Sequence, residues 1–269
     1  MVKSKRQKKS NPDKYDLYQR SVQEPEADCR FFDRVFRKAY GRRPLVLRED
    51  FCGTAATCCQ WVRSGERREA HGFDLDPEPL AWGRANNLSS LPANARLRVR
   101  LVEQDVLVVD RTGADVIAAQ NFSYFAFHTR DQLRAYFQAA RANLAPEGVL
   151  VLDIMGGPGV LEEDVEEHKR VGDVTYVWQQ ERFDPIHHRL ACHIHFKLRA
   201  GGWIRRAFSY DWRLWTIPEV RELLAEAGFR TSDVYWEDTG ANGEGNGVFR
   251  KRRRAESDPA WVSYIVAVK

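Results

Sequence analysis

The first half of the chain alternates short apolar runs with segments whose apolar residues recur at helical spacing. The apolar runs predict buried strands, at residues 45–47, 71–73, 97–102, 115–119 and 149–154. The helical spacing predicts intervening helices, at residues 26–40, 55–63, 80–87 and 131–144. Strands that alternate with helices in this way favour an α/β fold built on a parallel sheet.

The pattern changes at residues 156–159, where three glycines and a proline interrupt the chain. Beyond them, alternating apolar residues predict three strands, at residues 174–178, 190–198 and 203–212. Gly201 and Gly202 are a hairpin signal between the last two strands. The segment is therefore predicted to form a small antiparallel sheet inserted after the fifth strand.

The remaining chain returns to the first pattern, with a helix predicted at residues 217–227 and strands at residues 232–236 and 261–268. A loop rich in Gly, Asn and Arg joins the two strands at residues 240–258. A parallel crossover usually contains a helix, so this loop predicts an antiparallel hairpin at the sheet edge.

The turn after the first strand contains the first candidate chemistry. It reads Glu-Asp-Phe-Cys-Gly-Thr-Ala over residues 49–55, where Gly53 lets a ligand approach the main chain and Thr54 is the predicted N-cap of the next helix. The second strand ends at Asp74, about 20 residues later, where α/β nucleotide folds place the acid that binds ribose. The G-x-G-x-x-G turn that a pyrophosphate needs is missing. The turn therefore favours a nucleoside ligand without phosphates.

The segments EDFCGTA and GFDLDPEPLAWGR resemble motifs I and II of the class I S-adenosylmethionine-dependent methyltransferases. The resemblance implies a Rossmann-like, mostly parallel seven-stranded sheet with helices on both faces, a C-terminal antiparallel hairpin and a small antiparallel β insertion after the fifth strand. The resemblance also implies a cofactor-binding domain at residues 14–156 and 214–269 and an inserted substrate lid at residues 157–213. Residues 1–13 are expected to be a disordered basic tail, because they carry charge and almost no apolar content. Phe51 and Ala55 stand at glycine positions of motif I and are expected to narrow the pocket.

The same resemblance implies S-adenosylmethionine as the cofactor and assigns its contacts by position. The expected cofactor-binding residues are Tyr18, Glu49, Phe51, Cys52, Gly53, Asp74, Leu75, Asp105, Val106 and Asn121. Asp105 would meet the adenine amino group, although a turn or a helix cap explains an acid at this position equally well. Tyr15, Tyr18 and Gln23 would belong to a segment that folds over the cofactor, and packing of the two tyrosines on the core is the alternative.

The acceptor site is expected beyond the fourth strand and at the end of the insertion. The candidate catalytic residues are Asn121, Tyr124, His128 and Arg213. Methyl transfer depends on orientation, which can supply ~7–11 kcal/mol, and needs a general base only when the acceptor starts protonated. His128, His193 and His195 are candidate bases, each with a structural alternative, and Arg213 could bind a carboxylate. No metal is predicted, because the paired histidines lack a carboxylate or cysteine set.

Composition and charge limit the partners. In 269 residues with 43% hydrophobic content, no apolar run approaches the ~18 residues of a membrane span, and the Lys-rich N-terminus lacks the apolar part of a signal peptide. Five cysteines without a C-x-x-C pair predict reduced thiols in a cytoplasmic protein. The net charge of +4 is unevenly spread, with basic clusters at residues 3–9 and 250–254.

The favoured interpretation is a methyltransferase that acts on a nitrogen or oxygen of a small molecule, with neither a membrane nor a nucleic acid as the favoured partner. The loop at residues 120–125 reads QNFSYF and lacks the prolines of the [DNS]-P-P-[YFW] motif, which disfavours nucleobase amines. Two alternatives stay open. The basic clusters could bind the phosphates of RNA in an RNA methyltransferase. The altered glycines of motif I could belong to a regulatory protein that keeps the fold without catalysis.

Overall fold

Twelve strands and seven α-helices are present in the computed structural model, which describes residues 13–199, 201–240 and 245–269. The strands are β1 (Val46–Asp50), β2 (Glu69–Asp74), β3 (Val99–Glu103), β4 (Ala114–Ala119), β5 (Leu144–Gly156), β6 (Val165–Val171), β7 (Val174–Asp184), β8 (Arg189–Leu198), β9 (Gly202–Arg213), β10 (Thr231–Thr239), β11 (Gly245–Arg252) and β12 (Trp261–Val268). The helices are α1 (Lys14–Val22), α2 (Pro25–Tyr40), α3 (Ala56–Arg63), α4 (Pro77–Gly83), α5 (Ala93–Arg96), α6 (Arg130–Asn143) and α7 (Ile217–Glu226). None of the helices in these ranges is long and apolar enough to cross a membrane.

Eight of the strands form one sheet in the order β11-β10-β12-β5-β4-β1-β2-β3. The neighbours among β1 to β5 are parallel, and β12, β10 and β11 continue the sheet antiparallel. The predicted α/β class, with a mostly parallel sheet and a terminal antiparallel pair, is confirmed. The sheet has one strand more than expected, because part of the predicted loop at residues 240–258 forms the edge strand β11. Its sequence, GNGVFRKR, lacks an apolar alternation because the strand is exposed along almost its whole length.

The other four strands, β6 to β9, form a separate antiparallel sheet between β5 and α7. Three of them correspond to the predicted strands of the insertion. The fourth, β6, reads VEEHKRV and has apolar residues only at its two ends. An exposed edge strand needs no alternating apolar face, which is why hydrophobic periodicity did not predict it.

Three clusters of buried apolar side chains hold these layers together. One lies under α6 and α7 and includes Leu190 and Trp212 of the second sheet, so the second sheet packs on the main domain. Another lies under α2 and α3, on the opposite face of the eight-stranded sheet. The third joins Leu17 of α1 to Ile194 and Phe196 of β8, so the first helix packs on the second sheet.

Candidate active site

The strand order of the main sheet reverses between β1 and β4. From β1 the sheet continues to one side with β2 and β3, and from β4 it continues to the other side with β5. In open α/β sheets, ligands bind beyond the carboxyl ends of the strands at such a reversal. Here the reversal brings the turn after β1 next to the loop after β4, with the ends of β2 and β3 beside them. Of the predicted cofactor residues, Tyr18 lies in α1 and Glu49 in β1 itself, and all the others lie in these four segments.

The turn after β1 adopts a glycine-like backbone although it contains a single glycine. Phe51, Gly53 and Ala55 all have left-handed φ angles, of 58°, 51° and 58°. For Phe51 and Ala55 this conformation costs roughly 1–2 kcal/mol each. The Phe51 ring packs edge-on against Phe127 and Tyr136, with ring centroids 6.0 and 5.6 Å apart, so its bulk lies on the α6 side of the turn. Narrowing of the pocket by Phe51 and Ala55 stays a prediction.

The helix after this turn begins one residue later than predicted. Ala55 is the N-cap of α3 and no side chain caps the helix, so the prediction of Thr54 as N-cap is wrong. The left-handed backbone at Ala55 makes the chain enter the helix one residue beyond Thr54. The Thr54 carbonyl instead lies against α4, where a Cβ on Gly83 would collide with its oxygen. The missing side chain of Gly83 therefore lets α4 pack directly on the turn.

Asp74 closes the turn from the end of β2. Its Oδ2 accepts the Gly53 N–H at 2.7 Å, and its Oδ1 accepts the Asp76 N–H at 2.9 Å. Burial raises the pKa of Asp74, while these backbone N–H groups favour its charged form. Each oxygen can accept a further hydrogen bond, so the carboxylate can also bind hydroxyl groups. Leu75 follows with 66% of its surface exposed, which suits contact with a planar ring.

Glu49 and Cys52 are buried and support the turn through the protein's own backbone. The Oε2 of Glu49 accepts the Cys58 N–H at 2.9 Å, at the start of α3. The Cys52 N–H donates to the Phe73 carbonyl at 2.9 Å. Burial raises the pKa of Glu49 to about 7. Direct cofactor contacts for Glu49 and Cys52 stay predictions.

A fully buried ion pair at the end of β1 is not apparent from the sequence pattern. The Nε of Arg48 donates to Asp50 Oδ1 at 2.7 Å, and the Tyr136 hydroxyl donates to Asp50 Oδ2 at 3.1 Å. Arg48 also donates to Asp110 at 2.9 Å and lies 4.0 Å from the centroid of the Phe73 ring. Buried charges need such partners. The one sign of this ion pair in the sequence is that charged residues occur within a strand that is buried.

Asp105, beyond β3, forms the turn that was the alternative to an adenine contact. Its Oδ1 accepts the Leu107 N–H at 2.9 Å. The second oxygen can still accept a hydrogen bond, so an adenine contact stays a prediction. Val106 is buried beside it, and the Gln104 N–H donates to the Asp74 carbonyl at 2.9 Å, which holds the ends of β2 and β3 together.

A carboxylate holds the loop after β4 in a strained conformation. Asn121 and Phe122 are consecutive residues with left-handed φ angles of 58° and 56°. Asp153 of β5 accepts both of their N–H groups, at 2.6 and 2.9 Å. Burial raises the pKa of Asp153 to about 7. Strained backbone of this kind persists where the surroundings fix it and clusters at ligand sites. Asp153 was not predicted as a site residue, and its only signal was a single acid inside the apolar run VLVLDIM.

His128 and Arg213 join the second sheet to α6 and α7. The Nε2 of His128 donates to the Asp211 carbonyl at 2.8 Å. Arg213 donates to the His128 carbonyl at 3.1 Å and to Glu219 at 3.3 Å, and its guanidinium lies 3.8 Å from the centroid of the Trp215 ring. To contact a methyl acceptor, Arg213 would have to break its contacts with these partners. The acceptor roles of His128 and Arg213 stay predictions.

The first helix connects the turn after β1 to the second sheet. The Tyr18 ring lies 4.8 Å from the Phe208 ring of β9, between centroids. Gln19 Oε1 accepts from the Asn87 amide at 2.8 Å, and the same amide nitrogen donates to the Thr54 carbonyl at 2.9 Å. The predicted segment over the cofactor is thus a helix docked on both units. A cofactor contact of Tyr18 stays a prediction.

The inner face of the second sheet carries a wall of aromatic rings. Tyr210 and Trp212 of β9 stack with their centroids 4.5 Å apart, and Trp178 of β7 lies 5.9 Å from Trp212. Phe122, in the strained loop, meets Trp212 edge-on at 5.9 Å, so the wall adjoins the loop after β4. Trp178 and Tyr210 are half-buried and leave ring surface for a ligand. Such surfaces stack on flat or sugar-like rings and attract cations.

The paired histidines of β8 lie on the opposite face of that sheet and bind neighbouring polar groups. His193 Nε2 lies 3.0 Å from Glu181 Oε2. His195 Nδ1 accepts the Arg206 N–H at 2.9 Å, so its ring is neutral, and burial lowers its pKa. Among the described residues, no group of three His, Cys, Asp or Glu side chains could hold a metal ion.

The basic cluster at residues 250–254 lies at the β11 edge, with β10, β12 and β5 between it and β4. Arg250 and Arg252 pair with Asp238, at 2.6 and 2.8 Å, and Lys251 pairs with Asp233 at 2.6 Å. The cluster is therefore partly neutralised and remote from the strand-order reversal. The other cluster, at residues 3–9, lies outside the described residues.

No protein-family model matches the sequence, and no curated protein matches it. Among solved structures, the CcbJ methyltransferase from Streptomyces caelestis is similar over 93% of this chain and 94% of its own, with a TM-score of 0.67 and 18% identity. CalS10, an amino pentose methyltransferase from Micromonospora echinaspora involved in calicheamicin biosynthesis, is similar over 98% and 99%, with a TM-score of 0.66 and 19% identity. The sugar N-methyltransferase KedS8 from Streptoalloteichus sp. is similar over 100% and 98%, with a TM-score of 0.62 and 18% identity.

This chain has the class I methyltransferase fold. The likeness extends over almost the whole of each protein, so the second sheet and α1 belong to the shared architecture as well as the eight-stranded sheet. At these identities the likeness establishes the fold.

Proposed function

We propose that the protein transfers a methyl group from S-adenosylmethionine to a nitrogen or oxygen of a small molecule. The observation that carries this proposal is the Asp74 carboxylate, tied to the Gly53 N–H at the strand-order reversal of a methyltransferase fold. Asp74 can bind ribose hydroxyls while it fixes the turn that the methionine part would approach.

Unpartnered buried polar groups support a ligand at this edge. Four such atoms lie in the segments that surround it: Gln23 Oε1, Thr54 Oγ1, Gln104 Nε2 and the Tyr124 hydroxyl, none with a partner in the described part of the chain. Buried polar atoms normally have hydrogen-bond partners, so an unpaired group needs a missing ligand or water to explain it. Asp74, Gly53, Gln104 and Asp105 would hold the ribose and adenine, and Phe51 and Cys52 would border the methionine part.

The bound cofactor would supply a methyl group on a positively charged sulfur. The chain's own residues would orient the acceptor and exclude water. Asp153 fixes Asn121 and Phe122 at the rim of the site, and the aromatic wall of Trp178, Tyr210 and Trp212 faces this loop. We propose that residues 157–213 act as the substrate lid in this way, over a cofactor domain formed by residues 14–156 and 214–269.

An amine on a sugar-like ring is the acceptor that these features favour. Aromatic faces stack on such rings and attract a protonated amine, which must lose its proton before its lone pair can accept the methyl group. Two of the similar structures are a sugar N-methyltransferase and an amino pentose methyltransferase. An RNA acceptor is disfavoured because the cluster at residues 250–254 is remote from the site and partly ion-paired.

The Asp74→Asn variant tests the cofactor site. The amide has one acceptor oxygen instead of two and carries no charge, so S-adenosylhomocysteine should bind about tenfold more weakly or worse, as measured by calorimetry. Asp76→Asn is the matched control, since Asp76 caps α4 through Glu78 N–H and asparagine is an equally good N-cap. Equal affinities of the two variants would contradict the assignment of Asp74.

Methyl transfer itself is tested with labelled S-adenosylmethionine and a panel of amino sugars and simple amines. Product formation that requires Asp74 supports the proposal that the protein is a methyltransferase. Tight cofactor binding without transfer to any panel member would favour a regulatory protein. RNA binding that weakens steeply with salt, accompanied by RNA methylation, would replace the small-molecule acceptor.

A further inference from the structure

A second cavity lies away from the candidate active site, towards the β11 edge of the sheet. It is a cleft of about 950 Å³ between α7, β10 and the end of β11. β12 and β5 separate β10 from β4, so the cleft and the active site use different strands. Nothing in the proposed methyl transfer uses this cleft.

The floor of the cleft is apolar and partly aromatic. Ile217 and Leu224 of α7 line it together with Phe229 and Trp236. Leu224 and Phe229 are buried, whereas Trp236 is half-buried and packs on Trp261 with ring centroids 4.8 Å apart. A half-buried indole offers a planar surface on which a flat ring can stack.

The rim of the cleft is basic, with six Lys or Arg side chains and two acids. Lys251 pairs with Asp233 at 2.6 Å, and Arg252 pairs with Asp238 at 2.8 Å. A third ion pair of β11 joins Arg250 to Asp238. Four arginines of the rim form no ion pair with any residue that the structure describes: Arg221, Arg230, Arg253 and Arg254. Arg221 donates to the Ser232 hydroxyl at 3.2 Å.

Protection of a sheet edge explains only part of this charge. Edge strands often carry Lys or Arg to prevent pairing with other chains, which accounts for the basic residues of β11 itself. Arg253 and Arg254 follow Arg252, the last residue of β11, so they protect no strand edge. Guanidinium groups bind phosphate through two parallel hydrogen bonds. The unpaired arginines therefore match a phosphate, and the floor matches an aromatic ring.

We propose that this cleft is a second binding site, for a ligand that combines a phosphate group with a flat aromatic ring, as a nucleotide does. The ring stacks on Trp236, and Arg253 and Arg254 bind the phosphate. Cavities of about 300–1,000 Å³ are the usual size for small ligands. The site is independent of the methyl-transfer chemistry, so a test of one does not decide the other.

Uridine diphosphate is the probe, compared by calorimetry with uridine and inorganic pyrophosphate in the presence of saturating S-adenosylhomocysteine. The diphosphate should bind at least about tenfold more tightly than either fragment, because the cleft holds both parts. The double variant Arg253→Gln, Arg254→Gln should weaken its binding about tenfold or more, since it loses charge-assisted hydrogen bonds. Trp236→Leu should weaken the binding of uridine diphosphate but not that of pyrophosphate.

The control is Arg67→Gln, Arg100→Gln, which removes the same charge from exposed positions near the β3 edge. It should leave the affinity within about twofold of the parent protein, and thermal unfolding should confirm that both double variants fold. Absence of binding, or equal losses in both double variants, overturns the proposal. Binding of a short oligouridylate without binding of uridine diphosphate also overturns it and indicates a nucleic-acid surface.

Discussion

Four non-glycine residues with left-handed backbones border the candidate active site: Phe51, Ala55, Asn121 and Phe122. They lie in the two turns that the strand-order reversal brings together. Each turn is fixed by a buried or half-buried carboxylate, Asp74 for the first and Asp153 for the second. The strained turns are therefore held by hydrogen bonds that their backbone N–H groups donate to carboxylates of neighbouring strands, which is the arrangement that preorganises a binding site.

The conformation of Ala55 can be tested by comparing Ala55→Gly with Ala140→Gly, since both alanines are fully buried. Each substitution loses a methyl contact worth about 0.8 kcal/mol. At Ala55, relief of about 1–2 kcal/mol of left-handed strain offsets this loss together with the ~0.4–1 kcal/mol that the greater freedom of glycine in the unfolded chain costs, so the free energy of unfolding should change by less than about 1 kcal/mol. In the helix at Ala140 glycine costs a further ~0.5–1 kcal/mol, so stability should fall by about 1.5 kcal/mol. Urea unfolding measures both, and equal losses would mean that Ala55 is unstrained.

The sequence indicates some of these residues and hides others for physical reasons. Asp74 is predictable because an acid at the end of a strand, followed by Pro77, marks the edge of the sheet. Arg48 directly follows the apolar run at residues 45–47, and Asp153 lies inside the run at residues 149–154. Nothing in the local sequence shows which distant groups satisfy their charges. Asp153 binds two backbone N–H groups more than 30 positions away, so its role depends on the neighbour relation of β4 and β5.

At the scale of elements, α1 is the connection between the two sheets. Tyr15 packs against Trp82 of α4 and against Phe208 of β9, with ring centroids 5.8 and 5.9 Å apart. Leu17 is fully buried against β8. Movement of α1 would therefore change the relation between the motif I turn and the aromatic wall.

Leu17→Ala tests this connection, with Leu133→Ala in α6 as the control, because both leucines are fully buried. The control should lower the free energy of unfolding by about 2–5 kcal/mol without a selective effect on α1. Leu17→Ala should instead increase hydrogen exchange within α1 and weaken S-adenosylhomocysteine binding, because the helix loses its contact with the second sheet. Unchanged exchange in α1 would show that Leu17 does not fix the helix.

How well the sequence predicts a strand depends on how deeply that strand is buried. β4 and β5 are buried on both faces, so their apolar runs are evident in the sequence. The edge strands β6 and β11 are exposed, and their polar sequences match a loop as well as a strand. Their strand conformation comes from hydrogen bonds to β7 and β10, which a local pattern does not contain.

At the scale of the whole molecule, the interior contains several carboxyl groups whose pKa is raised by burial. The pKa is raised to about 6 for Asp28 and to about 7 for Glu49 and Asp153. Each contributes stability that is fully present below its unfolded pKa, near 4, and is lost as the pH rises through its folded pKa. His71 and His195 act in the opposite direction, because burial lowers their pKa. The contribution of one carboxyl group to the pH dependence of stability is therefore best measured as the difference in the free energy of unfolding between a variant that lacks this group and the parent protein.

Glu49→Gln should gain stability relative to the parent protein as the pH rises from about 5 to about 8. The amide never ionises, whereas Glu49 must ionise in its buried position, so the relative gain should be about 1–3 kcal/mol. Urea unfolding at several pH values measures it. Glu66→Gln, at an exposed position, should show no such trend, and a flat difference for Glu49→Gln would place the titration of Glu49 outside this range.

The position of β12 in the sheet bears on how the chain folds during synthesis. β12 lies between β5 and β10 and pairs with both, yet it is made after both. The apolar edge of β5 therefore stays open while the second sheet, α7 and β10 emerge, and β10 and β11 can form a hairpin but cannot join the sheet. An open apolar strand edge invites pairing with other chains. Nascent chains of this protein are thus most exposed to misassembly just before residues 261–268 become available.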